Sequence, residues 1–512
     1  MKLDIQPSLA SLKDYIKEND PAQHVNMYPI YAYVPAAAAE IASPHIAYLK
    51  LCKLNDPKRS PSFLLESAAG NQLGRYSFIG YNPKKCIKTG PNTENGEVDP
   101  LILLQQEMSK YKLAENVPGL PVLSGGCIGY ISYDCIKYFE PTTRNDDLKD
   151  VLHLPESILM LFDTIIAFDN VFQRFQIIHN IDISSTDNLA SVYEESCKII
   201  QSLANQLLAP DNEHSYEPIQ GPIKLDQTFT SNIGQEGYEN HVAQLKGHIK
   251  KGDIIQAVPS QRVARPTSLH PFNIYRQLRT VNPSPYMFYI DYLDFQVIGA
   301  SPELLCKSDS KNKVITHPIA GTIKRGRTTE EDDLLAAELS SSLKDRAEHI
   351  MLVDLARNDI NRVCNPLSTS VDKLLTVQKF SHVQHLVSVV SGTLREDKTR
   401  FDAFRSIFPA GTVSGAPKVK AMELIGKIEG EKRGCYAGAV GHWSYDGKSM
   451  DTCIALRTMV YKNGIAYLQA GGGIVFDSNE YDEYIETMNK MKANHNTILE
   501  AEKYWAEKVG SL

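Results

Sequence analysis

The chain has 512 residues, several times the roughly 100–200 of an ordinary domain, so it holds several domains or one large composite one. Acidic residues (61) outnumber basic ones (54), and the net charge of −7 speaks against a nucleic-acid backbone as partner. The longest apolar run, Ile158 to Phe168, is cut by Asp163 and Thr164 and falls short of the ~18 residues of a membrane span; the opening MKLDIQPSLASLKDY has no apolar signal core, so a soluble cytoplasmic protein is expected.

In chain order, short β-rich runs come first: Phe63 to Ser67, Tyr76 to Tyr81 and Gly126 to Tyr133. A hairpin is expected from Ile158 to Phe168 and Phe175 to Ile183 around Asp169-Asn170, then a helix from about Thr186 to Leu208. Between Gln201 and Thr230 the apolar pattern lapses, and Pro210, Pro218 and Pro222 among Asp, Asn and Gly read as a linker. The sequence therefore divides into an N-terminal region, 1–210, and a C-terminal region, 228–512. The second opens with a helix from Glu236 to Lys251, followed by strand-like IIQAVPSQRV. Helices are predicted at Thr328 to Ser341 with a Thr328/Glu331 capping box, at Leu343 to Asn358, after Ser414, and from Ser478 onward. Cys435 to Tyr445, Met450 to Tyr461 and Ile465 to Gln469 read as an antiparallel meander turning at Asp446-Gly447 and Asn463-Gly464. Strands and helices are grouped instead of alternating strictly, which favours an α+β class. The nine cysteines, odd in number and without a CxxC, encode neither a disulfide framework nor a zinc ribbon.

Glu483 and Glu486 lie three apart at the start of the last helix; alone they read as a solvated acidic face that complements the helix dipole. Just before them Gly471-Gly472-Gly473 ends a strand, where backbone N–H groups can meet an anion without intervening side chains. The GxGxxG spacing of a dinucleotide site is absent. Glu348 falls in the largely apolar helix DRAEHIMLVDLARND, so its carboxylate needs a partner, either Arg357 or another cation such as a hard metal ion. The glycine-rich stretch Pro409 to Lys418 runs into a helix but lacks the Walker spacing; that helix start, with Ser414 as N-cap, can hold a carboxylate. His382 and His385 are poorly spaced for zinc and read as satisfied or acid–base histidines. On a strand through Asp451 to Met459, alternation puts Cys453, Ala455 and Arg457 on one face, with room above the guanidinium for a carboxylate; the alternative is a cross-strand ion pair.

Together, PIAGTIKRGR (318–327), AEHIMLVDLARND (347–359), FPAGTVSGAPK (408–418), DTCIALR (451–457) and AGGGIV (470–475) resemble the chorismate-utilising enzymes over everything after about residue 228. FLLES (63–67), GRYSFIG (74–80) and GGCIGYISYD (125–134) are similar to the N-terminal region of the anthranilate synthase component I branch. One departure, Asn361 where glycine is common, touches no assigned chemical group. The resemblance implies an α+β fold of two large, roughly orthogonal antiparallel β-sheets flanked by helices. It also implies that Glu348 and Glu486 bind Mg²⁺, which holds the ring carboxylate of chorismate and suits an ion that takes few carboxylates and several waters. Arg457, Tyr436, Gly321, Thr322 and Gly471, Gly472 and Gly473 would fix the substrate's carboxylates. Glu303, His385 and Thr412 match the catalytic positions, Glu303 as acid for the leaving hydroxide and His385 in the elimination. Glu66 and Ser67 with Pro285, Tyr286 and Met287 match the site where L-tryptophan acts as feedback inhibitor.

Two positions separate sibling activities. Where isochorismate-type enzymes carry a water-activating lysine this chain has Gln256, and where aminodeoxychorismate synthases carry a lysine nucleophile it has Ala320. Both favour direct amination by ammonia, a Mg²⁺-dependent lyase reaction that gives anthranilate and pyruvate at the first committed step of tryptophan biosynthesis. The alternatives are aminodeoxychorismate synthase component I and a catalytically inactive tryptophan-sensing subunit, although every matched chemical position is intact. GGCIGYISYD looks like a nucleophile-cysteine loop but lacks the following His-Gln, so a separate glutamine amidotransferase subunit is the expected source of ammonia.

Overall fold

Two large antiparallel sheets organise the chain in the computed structural model, which describes residues 3–18, 25–38, 43–69, 72–115, 117–184, 188–210, 216–380 and 383–510. Eleven strands form the first sheet, in the order Met27–Pro35, Arg174–Asp182, Thr164–Asp169, Tyr76–Tyr81, Ser62–Glu66, Tyr286–Asp291, Gln296–Ser301, Thr458–Lys462, Ile465–Gly471, Ser260–Pro266 and Thr230–Ser231. The second has ten. Its path runs Ile319–Lys324, Val383–Thr393, Lys313–Thr316, Leu304–Ser308, Met450–Ile454, Ala439–Ser444, Gly126–Ile131, Ser157–Phe162 and Lys85–Thr89, with Ser370–Lys379 paired beside Val383–Thr393. Strands from the N-terminal and C-terminal regions pair directly in both sheets: Ser62–Glu66 with Tyr286–Asp291, and Gly126–Ile131 with Ala439–Ser444.

Alternation along each strand sorts the apolar side chains into layers. Phe63, Phe288 and Ile290 of the first sheet pack with Ile128, Tyr130, Ile158 and Met160 of the second, between the sheets. Leu64, Met287 and Tyr289 point the other way and join the cluster under the helices Pro44–Cys52, Leu189–Leu208, Pro271–Val281 and Glu480–Gly510. Cys127, Ile131, Leu159 and Leu161 likewise face the helices Pro100–Met108, Leu343–Asn361 and Arg400–Ile407. Covering both faces explains why Ser157–Phe162 is buried throughout and reads as an unbroken apolar run.

Three extended runs leave one sheet and enter the other. Ile158 to Phe168, expected as one strand, is two: Ser157–Phe162 in the second sheet and Thr164–Asp169 in the first. The break is Asp163, whose carboxylate accepts from the Tyr445 hydroxyl at 2.9 Å and pairs with Lys84 at 3.0 Å. Gln296–Ser301 crosses to Leu304–Ser308 at Pro302-Glu303, and Met450–Ile454 crosses to Thr458–Lys462 at Ala455-Leu456-Arg457. The expected meander is therefore two hairpins, one in each sheet. Its Asn463-Gly464 turn holds both residues at positive φ, +52° and +74°, as a two-residue hairpin of type I′ needs.

The helices stand close to their expected places, at Gly234–Lys250, Thr329–Ser341, Leu343–Asn361, Lys418–Glu429 and Glu480–Gly510, while the expected start at Thr186 lies outside the described residues. Thr328 caps its helix by accepting the Glu331 N–H, but the Glu331 carboxylate takes the Arg327 N–H, so only half the capping box forms. Pro417, not Ser414, is the N-cap of Lys418–Glu429; the Ser414 hydroxyl donates to the Ala410 carbonyl at 2.8 Å. The run IIQAVPSQRV is broken by Val258-Pro259, so that Gln256–Ala257 pairs with Gly415–Ala416 outside the main sheets. Among the described residues no helix is long and apolar enough to cross a membrane.

Candidate active site

Two of the sheet crossings touch. The Ile454 N–H donates to the Glu303 carbonyl at 3.1 Å, the Ala300 N–H to the Arg457 carbonyl at 3.3 Å, and the Ser301 hydroxyl to the Ile454 carbonyl at 2.6 Å. Glu303 and Arg457 are thereby brought together at the seam between the sheets. Arg457 has φ of +48°, a left-handed conformation costing about 1–3 kcal/mol in a non-glycine residue, so its direction is set by the crossing and not by strand alternation. The expected common face of Cys453, Ala455 and Arg457 is lost there.

Glu303 is 4% exposed, and its Oε1 accepts from the Thr412 hydroxyl at 3.0 Å. Burial pushes its carboxyl up to about 8, with the Thr412 hydroxyl, the Ile319 N–H and the Arg457 charge pulling the other way. Such a group is an acid at neutral pH. It lines a small pocket shared with Thr412, Thr316, His317, Leu352 and Asp359.

His385 comes from the neighbouring strand pair, opposite Thr322 in register. Its Nδ1 lies 3.0 Å from both the Thr322 hydroxyl and the Gly321 carbonyl. A carbonyl only accepts, so this network places the hydrogen on Nδ1 and the lone pair on Nε2, which is buried without a partner. Burial, then the positive charges of Arg457 and Lys490, push the imidazole down to about 4, so it is neutral. Gly321 sits at a bulge with φ of +67°, and a Cβ there would stand 3.1 Å from Asp345 Oδ1; the position requires glycine.

The triple glycine is pressed against side chains from three directions. A Cβ on Gly471 would lie 2.3 Å from the Pro259 carbonyl oxygen and 3.1 Å from the Tyr436 hydroxyl. On Gly472 it would reach Glu483 Oε2 at 2.9 Å, and on Gly473 it would meet Gln256 Nε2 at 2.2 Å and Glu348 Oε1 at 3.2 Å. Beside these glycines the carboxylates of two helices face one another. Glu348 accepts from Gln256 at 2.9 Å, while Arg357 pairs with Asp354, so the Glu348–Arg357 pairing does not form. Burial raises the Glu348 carboxyl, as do the negative charges of Glu486 and Asp345. Glu486 is exposed and pairs with Lys490 at 2.7 Å, and Lys490 also donates to the Gly471 carbonyl at 3.0 Å. Glu483, expected on a solvated face, is buried; it accepts from Ser478 at 2.7 Å and leaves Oε2 without a partner. Among the described residues no three such side chains form a complete metal cage. Facing carboxylates and one orphaned buried oxygen nevertheless fit a hard divalent cation with few protein ligands.

The five residues matched to a tryptophan site also gather, at the end of Ser62–Glu66 and the start of Tyr286–Asp291, where Glu66 pairs with Met287. Glu66 is held by Arg279 at 2.8 and 3.1 Å and by the Tyr275 hydroxyl at 2.5 Å, while Ser67 lies against Gly74. Pro285 is half-buried, and the Ser284 carbonyl just before it accepts from the Ala68 N–H at 3.0 Å. Lys490, Asp345 and Tyr238, whose hydroxyl accepts from the Gly472 N–H at 3.1 Å, were not singled out from sequence. Lys490 had a legible signal, its i,i+4 spacing from Glu486; the contacts of the other two arise between distant segments.

The sequence profile described as chorismate binding enzyme matches residues 60–496. The chain belongs to this family. Among its relatives, "Anthranilate synthase component 1" of Saccharomyces cerevisiae is 72% identical over 510 residues, covering 99% of both chains. "Probable anthranilate synthase component 1" of Schizosaccharomyces pombe is 53% identical over 510 residues, covering 99% of this chain and all of the other. The crystal structure of anthranilate synthase component I from Streptococcus pneumoniae superposes with a TM-score of 0.71 at 36% identity, over 88% of this chain and 97% of that one. The menaquinone-specific isochorismate synthase of Escherichia coli shares the fold, with a TM-score of 0.69 at 17% identity over 96% and 98%.

Proposed function

We propose that this chain is the chorismate-converting component of an anthranilate synthase, a cytoplasmic Mg²⁺-dependent lyase that forms anthranilate and pyruvate from chorismate and ammonia. What carries the reading is the gathering of a protonated acid, Glu303, and a neutral histidine, His385, around Arg457, in a chain so similar throughout to a relative of that name.

Arg457 and Lys490 supply the positive charge that a dicarboxylate substrate needs, and Gly473 adds a backbone N–H with no side chain of its own in the way, that of Gly472 being taken by the Tyr238 hydroxyl. In the first step ammonia bonds to C2 while the C4–O bond breaks. Glu303 gives its proton to the departing hydroxyl, which leaves as water. In the second, Nε2 of His385 takes the C2 proton; the C–H electron pair completes the aromatic ring, and the C3–O pair leaves with enolpyruvate, which gains a proton and becomes pyruvate. Glu348 and Glu486 would hold Mg²⁺, which supplies Lewis acidity at the ring carboxylate.

Glu66, Ser67, Pro285, Tyr286 and Met287 are assigned to L-tryptophan as inhibitor, and ammonia to a glutamine amidotransferase partner, the second component that the relatives' naming implies. Gln256 and Ala320, where sibling enzymes carry lysines, weigh against aminodeoxychorismate synthase. Anthranilate fluorescence from purified chain, chorismate, Mg²⁺ and an ammonium salt tests the proposal. Absence of anthranilate, or accumulation of a 4-amino product, would overturn it.

A further inference from the structure

Arg433 and Glu429 form a buried ion pair, with side chains 1% and 7% exposed, that the chemistry above does not use. Glu429 ends the helix Lys418–Glu429, and Arg433 follows one turn later. Arg433 Nε donates to Glu429 Oε2 at 2.9 Å and Nη2 to Oε1 at 2.7 Å, a bidentate arrangement. The remaining donors go elsewhere: Nη1 to the Val413 carbonyl at 2.9 Å and Nη2 to the Val258 carbonyl at 2.7 Å. The guanidinium also covers Tyr436, 5.5 Å from its ring centre, and Tyr133 at 4.4 Å. Glu429 Oε1 in turn accepts from the Ser260 N–H at 2.7 Å and hydroxyl at 2.9 Å. Behind the pair, Asp134 fixes the backbone leading to Tyr436 by accepting from the N–H groups of Arg433 and Gly434 at 3.2 and 2.7 Å.

The destinations of these arms are the informative feature. Val413 follows Thr412, the residue that holds the Glu303 carboxyl. Val258 lies two residues after Gln256, which holds Glu348. Ser260 stands opposite Gly471 in the sheet, and Tyr436 lies against that same glycine. Two separate segments bearing site groups, 412–413 and 256–260, are tied at one point, at the backbone, by groups with fixed geometry, and the same guanidinium covers the Tyr436 ring that lies against Gly471. A fold strut alone has no reason to end each arm beside a different part of one site. We propose that the Arg433–Glu429 pair is a positioning device for the reaction, setting the acid's holder, the Gln256 segment and the Tyr436–Gly471 wall relative to one another. This inference rests on the chorismate chemistry proposed above.

Lysine at 433 keeps the charge but has no planar fork to serve two carbonyls and a carboxylate together. Arg433→Lys and Glu429→Gln, made in the full chain, are compared with the parent for anthranilate formation from chorismate, Mg²⁺ and ammonium, with melting curves and near-ultraviolet circular dichroism alongside. Arg433→Lys is expected to lower kcat about 100-fold, the scale set by an ångström of misplacement, and to raise the KM for chorismate several-fold while melting as the parent does. Parental kcat and KM would overturn the proposal, as would losses of activity that only follow lost folding in both variants. Should Arg433→Lys not fold, Glu429→Gln decides, with about a tenfold lower kcat expected behind a parental melting curve and parental kcat counting against the proposal. A parent chain that makes no anthranilate would instead overturn the functional reading itself.

Discussion

The Tyr286 hydroxyl donates to the Asp451 carboxylate at 3.0 Å, a side-chain bond from one sheet to the other, since Tyr286 begins a strand of the first and Asp451 lies in a strand of the second. Asp451 also pairs with Lys307 at 2.9 Å. A residue assigned to inhibitor binding is therefore bonded to the strand that leads into Arg457. Tyr286→Phe should cost about 1–2 kcal/mol of stability, a hydrogen bond to a charged group with a second partner left in place, and should weaken inhibition by tryptophan. Denaturant titration and inhibition curves check both; unchanged inhibition would separate this bond from the inhibitor response.

Glu348→Gln or Glu486→Gln should abolish turnover, because each removes a negative ligand from the proposed Mg²⁺ site. The fold should survive, since Glu348 is a carboxylate whose ionisation burial already disfavours and Glu486 is exposed. Melting curves and anthranilate fluorescence measure this, with chelation of Mg²⁺ from the parent giving the reference loss. Either variant retaining half the parental activity would take that glutamate out of the site.

The acid role proposed for Glu303 needs its protonated form, and its carboxyl lies at about 8 against an ordinary 4.5. Activity attributable to this acid should fall as pH rises through about 8, and Glu303→Gln should reduce kcat about 10²–10⁴-fold. The stability consequence has a definite sign. A raised folded value makes the contribution of the neutral carboxyl complete below 4.5 and lost as pH rises toward about 8, because the unfolded chain ionises first. Stability of Glu303→Gln should therefore change less with pH across that window than the parent's, as urea midpoints at several pH values would reveal.

His385→Ala should damage the second step more than the first, since the lone pair proposed to take the C2 proton is lost while Glu303 remains. The amino intermediate should accumulate and be separable by chromatography of quenched reactions. Parallel loss of both steps would contradict this assignment.

Nitrogen supply gives the last test. The purified chain should use ammonium and fail with glutamine, and adding the amidotransferase component should confer glutamine-dependent anthranilate formation. Tryptophan should suppress both nitrogen sources because its proposed site is on this chain. Efficient use of glutamine by the chain alone would demand a glutaminase site that none of its cysteine neighbourhoods encodes.

By itself the sequence determined the α+β class, the bodies of the helices, the apolar runs, and which residue types stand at Glu303, Glu348, His385 and Glu486. Gly471 to Gly473 were legible as a place where backbone can approach an anion closely, whereas the side chains of Tyr436, Glu483, Gln256 and Glu348 packed against them were not. The tertiary structure decided where extended runs divide between sheets. Strand periodicity reports which side of a local ribbon a residue occupies, so it carried Arg457 onto a regular face, whereas the chain turns left-handed there to change sheets. The same limit governs partners. Gln256 for Glu348 and Thr412 for Glu303 come from segments remote in sequence, and burial of Glu483 follows from the helix start packing against Gly472. A buried polar group takes whichever complementary atom folding brings within hydrogen-bond distance, and that is a property of the packed sheets, not of the order of residues along the chain.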